Sequence, residues 1–217
     1  MALTLYYHPL SSFCWKALIA LYECKAEFTP RLVNLGDPED AAAFKAIWPV
    51  RKFPVLQNGD QVTPESTIII EYLAQHYPAA KLIPSDPERA REVRLWDRVI
   101  DMHVHLPMQK FTIDALRPQG AKDPMGVESA RETLRTAYAL LDKQVSTWVV
   151  GDEFTMADCA AFPALYYANI AEPIGAEHAS LLAYLERLRI RPSIARVFKE
   201  AEPYFHMLPL KPKSGGQ

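Results

Sequence analysis

Two different patterns of apolar and polar positions divide this chain of 217 residues. Within residues 1–78, short runs rich in β-forming residues alternate with segments in which apolar residues recur at helical spacing. Their succession predicts the element order βαβαββα. Beyond residue 88 the apolar positions keep a helical spacing throughout, so an all-helical part is expected to follow a small α/β part.

The boundary between the two patterns is rich in proline. Residues 78–87 contain three prolines, which is typical of a linker. We therefore expect an α/β domain over residues 1–78, a linker over residues 79–87, a helical domain over residues 88–210 and a tail over residues 211–217.

Local signals predict where single elements begin or turn. Asp37, followed by proline and glutamate, is typical of a helix start. Pro30 inside the second strand predicts a strand at the sheet edge. The Asn-Gly pair at residues 58–59 predicts a hairpin with a type I′ turn. Thr155 and Asp158 have the spacing of a capping box and predict another helix start.

Composition and charge exclude several classes of function. The formal net charge of −2 and the sequence pI of about 6.3 indicate no basic surface for nucleic acid or for an anionic membrane. The eight glycines form neither a dinucleotide-binding motif nor a P-loop. Three widely spaced cysteines predict neither a disulfide framework nor a metal site. The first residues lack the cationic and apolar segments of a signal peptide, so a cytoplasmic location is expected.

Candidate chemistry first occurs where the first strand turns into a helix. Ser11 and Ser12 stand at this helix start. A helix N-terminus offers unpaired amide groups and partial positive charge, both of which favour an anion. A serine hydroxyl at this point is able to donate to a thiolate and to lower the pKa of the thiol. Alternatively, both serines only cap the helix.

Two later positions carry further candidate chemistry. Pro54 directly precedes a predicted strand, where a cis peptide bond would expose the amide and carbonyl of Phe53 to a peptide-like ligand. Glu65 and Ser66 stand at another helix start, which is suited to the zwitterionic end of an α-amino acid. Each has a plainer interpretation, a turn for Pro54 and a cap for Glu65 and Ser66. Together with Ser11, they predict a groove of tripeptide size.

These segments resemble the cytosolic glutathione transferases, in particular bacterial members, over essentially the whole chain. Residues 11–16, Ser-Ser-Phe-Cys-Trp-Lys, are similar to the zeta-class segment S-S-C-x-W-R and to the tau-class segment S-P-F-x-x-R. Residues 52–55 match the K-V-P-V segment with its cis-proline, and Glu65 and Ser66 match the E-S pair. Residues 151–158 fit the capping box G-x-x-x-[ST]-x-A-D of the family.

The resemblance implies a thioredoxin-like N-terminal domain, a helical C-terminal domain and a homodimer with a detoxification role. Glutathione would be the co-substrate and no metal would take part. The candidate activating residues are Ser11, on the family's activating position, and its neighbour Ser12. The residues expected to bind glutathione are Lys52, Phe53, Pro54, Glu65 and Ser66. The thiolate would attack a small apolar electrophile held between the domains.

The segment before the cis-proline departs from the family's N-P-x-G-K-V-P pattern. Trp48 stands in place of the asparagine and Arg51 in place of the glycine. We expect both substitutions to change the lip of the groove at the glycine end of glutathione.

Three other activities remain alternatives from the sequence. A thiol oxidoreductase or peroxidase would need a reactive thiol, whereas Ser11 replaces the solvent-facing cysteine of the C-x-x-C motif and only Cys14 remains. A glutathione transferase-like protein that only binds is the second alternative. A metal site is disfavoured because His103 and His105 lie two residues apart on a helix, although either histidine is a candidate for lining the cleft beside Met108.

Overall fold

The computed structural model describes residues 2–210 and places a four-stranded sheet in the N-terminal part. The strands are β1 Leu3–Tyr7, β2 Phe28–Leu32, β3 Val55–Asn58 and β4 Gln61–Pro64. Their spatial order is β2-β1-β3-β4, with β1 parallel to β2 and antiparallel to β3. Helices α1 Ser12–Glu23, α2 Pro38–Ile47 and α3 Ser66–His76 complete the predicted order βαβαββα. The thioredoxin-like arrangement and the edge position of β2 are therefore confirmed.

The secondary structure of the rest of the described chain is helical. The helices are α4 Pro87–Ile100, α5 Leu106–Leu116, α6 Pro124–Gln144, α7 Met156–Ala171, α8 Ala179–Arg189 and α9 Pro192–Ala201. A π-helical turn, Asp101–His105, joins α4 to α5. None of the helices within residues 2–210 combines the length and the apolar character that crossing a membrane requires. The predicted tail over residues 211–217 lies outside the described residues.

The hairpin between β3 and β4 differs from the sequence prediction. Asn58 is paired with Gln61, so the two loop residues are Gly59 and Asp60. Gly59 has a φ of 57°, whereas Asp60 is not among the residues with positive φ. A type I′ turn requires positive φ at both central residues, so the predicted turn type was wrong. The glycine still occupies the one loop position that needs the left-handed region.

The core joins the two parts of the chain around α1 and α7. Trp15 of α1 is completely buried and lies 5.1 Å from the ring of Tyr167 and 6.1 Å from the ring of Phe162, both on α7. α1 also contacts α3 and α9, so this helix is covered on several sides. In a smaller cluster, Phe44 of α2 packs with Val33 and Val55. The position of α1 is therefore determined by both parts of the protein.

The predicted capping box is confirmed and gives a first testable expectation. The buried Asp158 carboxylate accepts hydrogen bonds from the amides of Thr155 at 2.8 Å and Val149 at 3.0 Å, and from the Tyr184 hydroxyl at 2.6 Å. Removal of the carboxylate leaves these buried donors unpaired, so Asp158→Ala should destabilise the fold by about 2–4 kcal/mol. Urea unfolding measures the loss. Asp152→Ala, at an exposed position of the same loop, should have a free energy of unfolding within about 0.5 kcal/mol of that of wild type.

Candidate functional site

Three segments with candidate chemistry meet at one edge of the sheet. Tyr6 near the end of β1 is paired with Val55 at the start of β3, and Val55 is paired with Pro64 at the end of β4. Consequently the loop that leads to Ser11, the residues before β3 and the residues after β4 lie side by side. Adjacent strands are about 4.8 Å apart, so two spacings measure about 10 Å. That is about the length of three extended residues.

Ser11 both caps α1 and keeps a donor for a ligand. Its Oγ accepts a hydrogen bond from the amide of Cys14 at 3.3 Å, as one sequence interpretation expected. Because this bond uses a lone pair of the oxygen, the hydroxyl hydrogen remains able to donate elsewhere. Ser12 is the first residue of α1 and is buried. Capping and activation are therefore compatible roles for the same side chain.

The loop before Ser11 is held from two sides. The Tyr167 hydroxyl of α7 donates to the carbonyl oxygen of Leu10 at 3.0 Å. The indole Nε1 of Trp15 donates to the carbonyl oxygen of Pro9 at 2.5 Å. Both parts of the chain thus hold the backbone that leads to Ser11, α1 through Trp15 and the helical part through Tyr167.

A cavity of about 440 Å³ opens beside Ser11 and Ser12. His8 adds a third polar side chain, and Phe53 also lines the cavity. The apolar walls come from α5, α7 and the last described segment, and they include Met108, Ile113, Leu116, Ile170, Met207 and Leu208. None of the described residues lining it is Lys, Arg, Asp or Glu. The volume is typical of a small-molecule site.

The Phe53-Pro54 peptide bond is cis, which confirms the sequence prediction. Phe53 lines the cavity, whereas Lys52 is exposed and Pro54 is buried outside the lining. Arg51 has a φ of 58°, in the left-handed region that glycine favours. The arginine thus preserves the backbone conformation expected of the family's glycine, and it places a cationic side chain at an exposed position.

Glu65 stands before α3 but does not cap it with its side chain. Its φ of 69° lies in the left-handed region, which is unusual for a residue other than glycine, and its side chain is exposed. Strained positions of this kind often occur at ligand sites. Ser66 begins α3 and is buried. Neither residue lines the cavity, so both lie further along the sheet edge, beyond Phe53.

His103 and His105, both in the π-helical turn before α5, do not line the cavity, although Met108 of α5 does. His103 is exposed, and His105 is completely buried. The His105 Nδ1–H donates to Asp101 Oδ1 at 3.0 Å, while its Nε2 is buried and has no hydrogen-bond partner within residues 2–210. Within residues 2–210, no group of three or more His, Cys, Asp or Glu side chains has the arrangement of a metal site.

Burial disfavours the thiolate form of the cysteines and provides a second expectation. It raises the pKa of Cys14 to about 12, even though the Ser11 hydroxyl and the His8 amide favour the thiolate. Burial also raises the pKa of Cys24 to about 12 and that of Cys159 above its ordinary value. Because the thiolate is the reacting species, labelling by an aromatic disulfide at neutral pH should be at least about 100-fold slower in the native than in the unfolded chain. Rapid labelling of Cys14 would instead support the oxidoreductase alternative.

Sequence models of both domains of one family match this chain. The model described as the glutathione S-transferase N-terminal domain matches residues 5–81, and the C-terminal domain model matches residues 111–187. The chain belongs to the glutathione S-transferase family. The resemblance noted in the sequence is thereby confirmed.

Individual relatives include proteins named as isomerases. The chain is 29% identical to a probable maleylacetoacetate isomerase of Caenorhabditis elegans, over 76% of this chain and 78% of that protein. It is 30% identical to a maleylpyruvate isomerase of a Ralstonia species, over 60% of this chain and 66% of that protein. A crystal structure of a glutathione S-transferase from Methylobacillus flagellatus with glutathione bound has a TM-score of 0.82 at 25% identity, covering 90% of this chain and 98% of that one.

Proposed function

We propose that this member of the glutathione S-transferase family activates glutathione through a serine hydroxyl and transfers it to an apolar electrophile. One observation carries the proposal. The cavity joins a polar end, formed by His8, Ser11 and Ser12, to walls that are almost entirely apolar. A thiolate held at the polar end would face any apolar molecule bound against these walls. The domain over residues 1–78 would bind glutathione, and residues 88–210 would supply most of the electrophile pocket.

Glutathione would lie across the neighbouring ends of β1, β3 and β4. Its thiol would meet the Ser11 hydroxyl at the start of α1, and its cysteinyl backbone would pair with Phe53. Its γ-glutamyl end would reach Glu65 and the unpaired first-turn amides of α3 beginning at Ser66. The exposed Lys52 would lie near the glycine end. The span of about 10 Å across β1, β3 and β4 suits an extended tripeptide.

Ser11 would act by stabilising the thiolate, without forming a covalent bond. A hydrogen bond donated to an anion at a helix N-terminus favours the ionised form and lowers the pKa of the thiol. The proton leaves to solvent, and the sulfur then forms a bond to the electrophilic carbon. In chlorodinitrobenzene the C–Cl bond breaks and chloride leaves to solvent with the bonding electrons. Positioning the two reactants in one cavity supplies the rest of the acceleration.

The names of two relatives favour isomerisation of a maleyl compound as a second candidate activity. Maleylacetoacetate and maleylpyruvate are carboxylates, which normally bind to lysine or arginine side chains. Among the described residues that line the cavity, none is cationic. A neutral electrophile therefore suits the walls better. Turnover of a maleyl substrate faster than that of a neutral aromatic electrophile would favour the isomerase.

Spectroscopic titration of glutathione in its complex with wild-type protein tests the proposal. The ultraviolet absorbance of the thiolate should appear at a pH below the ordinary thiol pKa of about 8.5. Conjugation to chlorodinitrobenzene should accompany this shift. An unshifted thiol would contradict the proposed activation, and tight binding of immobilised glutathione without turnover would favour the alternative of a binding protein.

A homodimer is part of the proposal and gives a third expectation. Ile68 on α3 is 51% exposed and Leu95 on α4 is 56% exposed. The two helices are joined by the ion pair between Glu71 and Arg94, and we propose that the exposed apolar side chains of both helices lie in the dimer interface. The double variant Ile68→Glu/Leu95→Glu should sediment as a monomer where wild type sediments as a dimer. Met125→Glu, at an exposed position of α6, is the matched control and should remain dimeric.

A further inference from the structure

His8 is a polar side chain of the cavity to which the proposed mechanism gives no role. It follows β1 directly, and its imidazole lines the cavity together with Ser11 and Ser12. The ring is stacked on that of Phe53, with centroids 5.9 Å apart and an angle of 18° between the planes. Phe53 is the residue whose backbone is proposed to pair with the cysteinyl part of glutathione. In the proposed complex, His8 would therefore lie next to the part of glutathione that carries the thiol.

The backbone determines which nitrogen of His8 carries the proton. The amide of Leu10 donates a hydrogen bond to His8 Nδ1 at 3.2 Å, so Nδ1 is the acceptor. In the neutral imidazole the hydrogen is then on Nε2. Burial lowers the pKa of His8, so the neutral form prevails at neutral pH. The ring is thus held as a neutral donor with a defined orientation.

The Nε2–H group of His8 is available to a ligand. Within residues 2–210 it makes no hydrogen bond. It is also not fully buried, because the fully buried polar side-chain atoms without a partner in this range belong to Trp48, Asp97 and His105. The amide of Cys14, in contrast, is already used by the Ser11 side chain. His8 thus supplies a donor at the polar end of the cavity that no group within residues 2–210 occupies.

We propose that His8 is a second hydrogen-bond donor to the glutathione thiolate, through its Nε2–H, beside the Ser11 hydroxyl. The inference rests on the proposed function, since it adds a residue to the same thiolate site. No proton is transferred to or from His8. The thiol proton still leaves to solvent, and the imidazole stabilises the remaining negative charge by a hydrogen bond alone.

Two substitutions distinguish the donor role of His8 Nε2–H from the role of the ring as acceptor of the Leu10 amide in the loop. His8→Asn removes Nε2–H but retains an oxygen that can accept from the amide of Leu10, two residues on. His8→Gln supplies an N–H group at about the reach of Nε2. Each variant is titrated with bound glutathione, assayed for conjugation of chlorodinitrobenzene, and tested for binding of the glutathione analogue that has a methyl group in place of the thiol.

His8→Asn should raise the pKa of the bound thiol by about one unit and lower kcat/KM about tenfold, the effect of one hydrogen bond to a charged group. His8→Gln should recover a large part of both. Affinity for the methyl analogue should be the same in wild type and His8→Asn, because that ligand carries no thiolate.

The inference is overturned if the thiol of glutathione has the same pKa in the His8→Asn complex as in the wild-type complex. This holds even if turnover falls, because a fall in turnover alone would mean that His8 acts on the electrophile. The inference is also overturned if the variant loses affinity for the methyl analogue to the same extent as for glutathione. An unshifted thiol in the wild-type complex would instead contradict the proposed function itself. The two failures are therefore distinguishable.

Discussion

Ser11→Ala is expected to lower kcat/KM for conjugation about 10²–10³-fold, because it removes a donor to the charged sulfur at the moment of attack. Glutathione should still bind, since Phe53, Glu65 and Ser66 hold the rest of the tripeptide in the proposed complex. The bound thiol should titrate close to its ordinary pKa. Steady-state kinetics, together with the absorbance titration, measure both effects.

Two variants control for the structural role of Ser11. Its side chain also caps α1, and loss of that cap costs about 0.5–2 kcal/mol of stability, which urea unfolding measures separately. Ser11→Thr keeps both the cap and the hydroxyl and should retain most of the activity. Ser12→Ala should also stay active. If Ser12→Ala is the inactive variant and Ser11→Ala is not, the activating hydroxyl has been assigned to the wrong serine.

Lys16→Met is expected to destabilise the protein by about 3–5 kcal/mol, because it leaves buried carboxylates without their cation. The Lys16 side chain is completely buried, and its Nζ lies 2.7 Å from Asp97 Oδ1 and 2.7 Å from Asp101 Oδ2. Nζ also donates to Thr67 Oγ1 at 2.8 Å. Burial raises the pKa of Asp97, whereas for Asp101 the Lys16 charge and the His105 hydrogen bond outweigh burial and lower the pKa to about 2.

The position of this cluster explains the size of the effect. Lys16 belongs to α1 and Thr67 to α3, while Asp97 belongs to α4, so the ammonium joins the two parts of the chain. Urea unfolding measures the loss, and Arg91→Met is the control because its ion pair with Glu88 is exposed. Lys16→Met/Asp97→Asn should recover part of the stability by removing one unpaired charge. A free energy of unfolding of Lys16→Met within about 1 kcal/mol of that of wild type would contradict this account.

Local sequence was sufficient for the elements whose stabilising groups are close in the chain. The Asp37 cap of α2 and the Thr155–Asp158 box of α7 depend on side chains two or three residues from the amides they bind. The edge strand could be predicted because Pro30 lacks an amide for a neighbour. The type of the turn at Gly59 was predicted wrongly, since the pairing of Asn58 with Gln61 depends on the register of the whole hairpin.

The candidate site could be predicted only in part. Ser11, Ser12 and Phe53 were expected and do line one cavity. His8 was missed, although its position directly after the first strand, before Pro9 and the serines, was a usable signal. Gln109, Thr112 and the Met207–Leu210 segment gave no such signal, because they belong to no motif and line the cavity only through the packing of α5 and of the last described segment.

The sequence by itself determined the order of the elements, the helix starts, the cis bond before β3 and the membership of the chain in a family. These properties depend on groups that are near one another in the chain or on motifs of fixed spacing. Only the tertiary structure decided which side chains share the cavity, that Tyr167 anchors the loop before Ser11, and that His8 keeps its hydrogen on Nε2. Packing between distant segments sets these features, and no local pattern of residues records that packing.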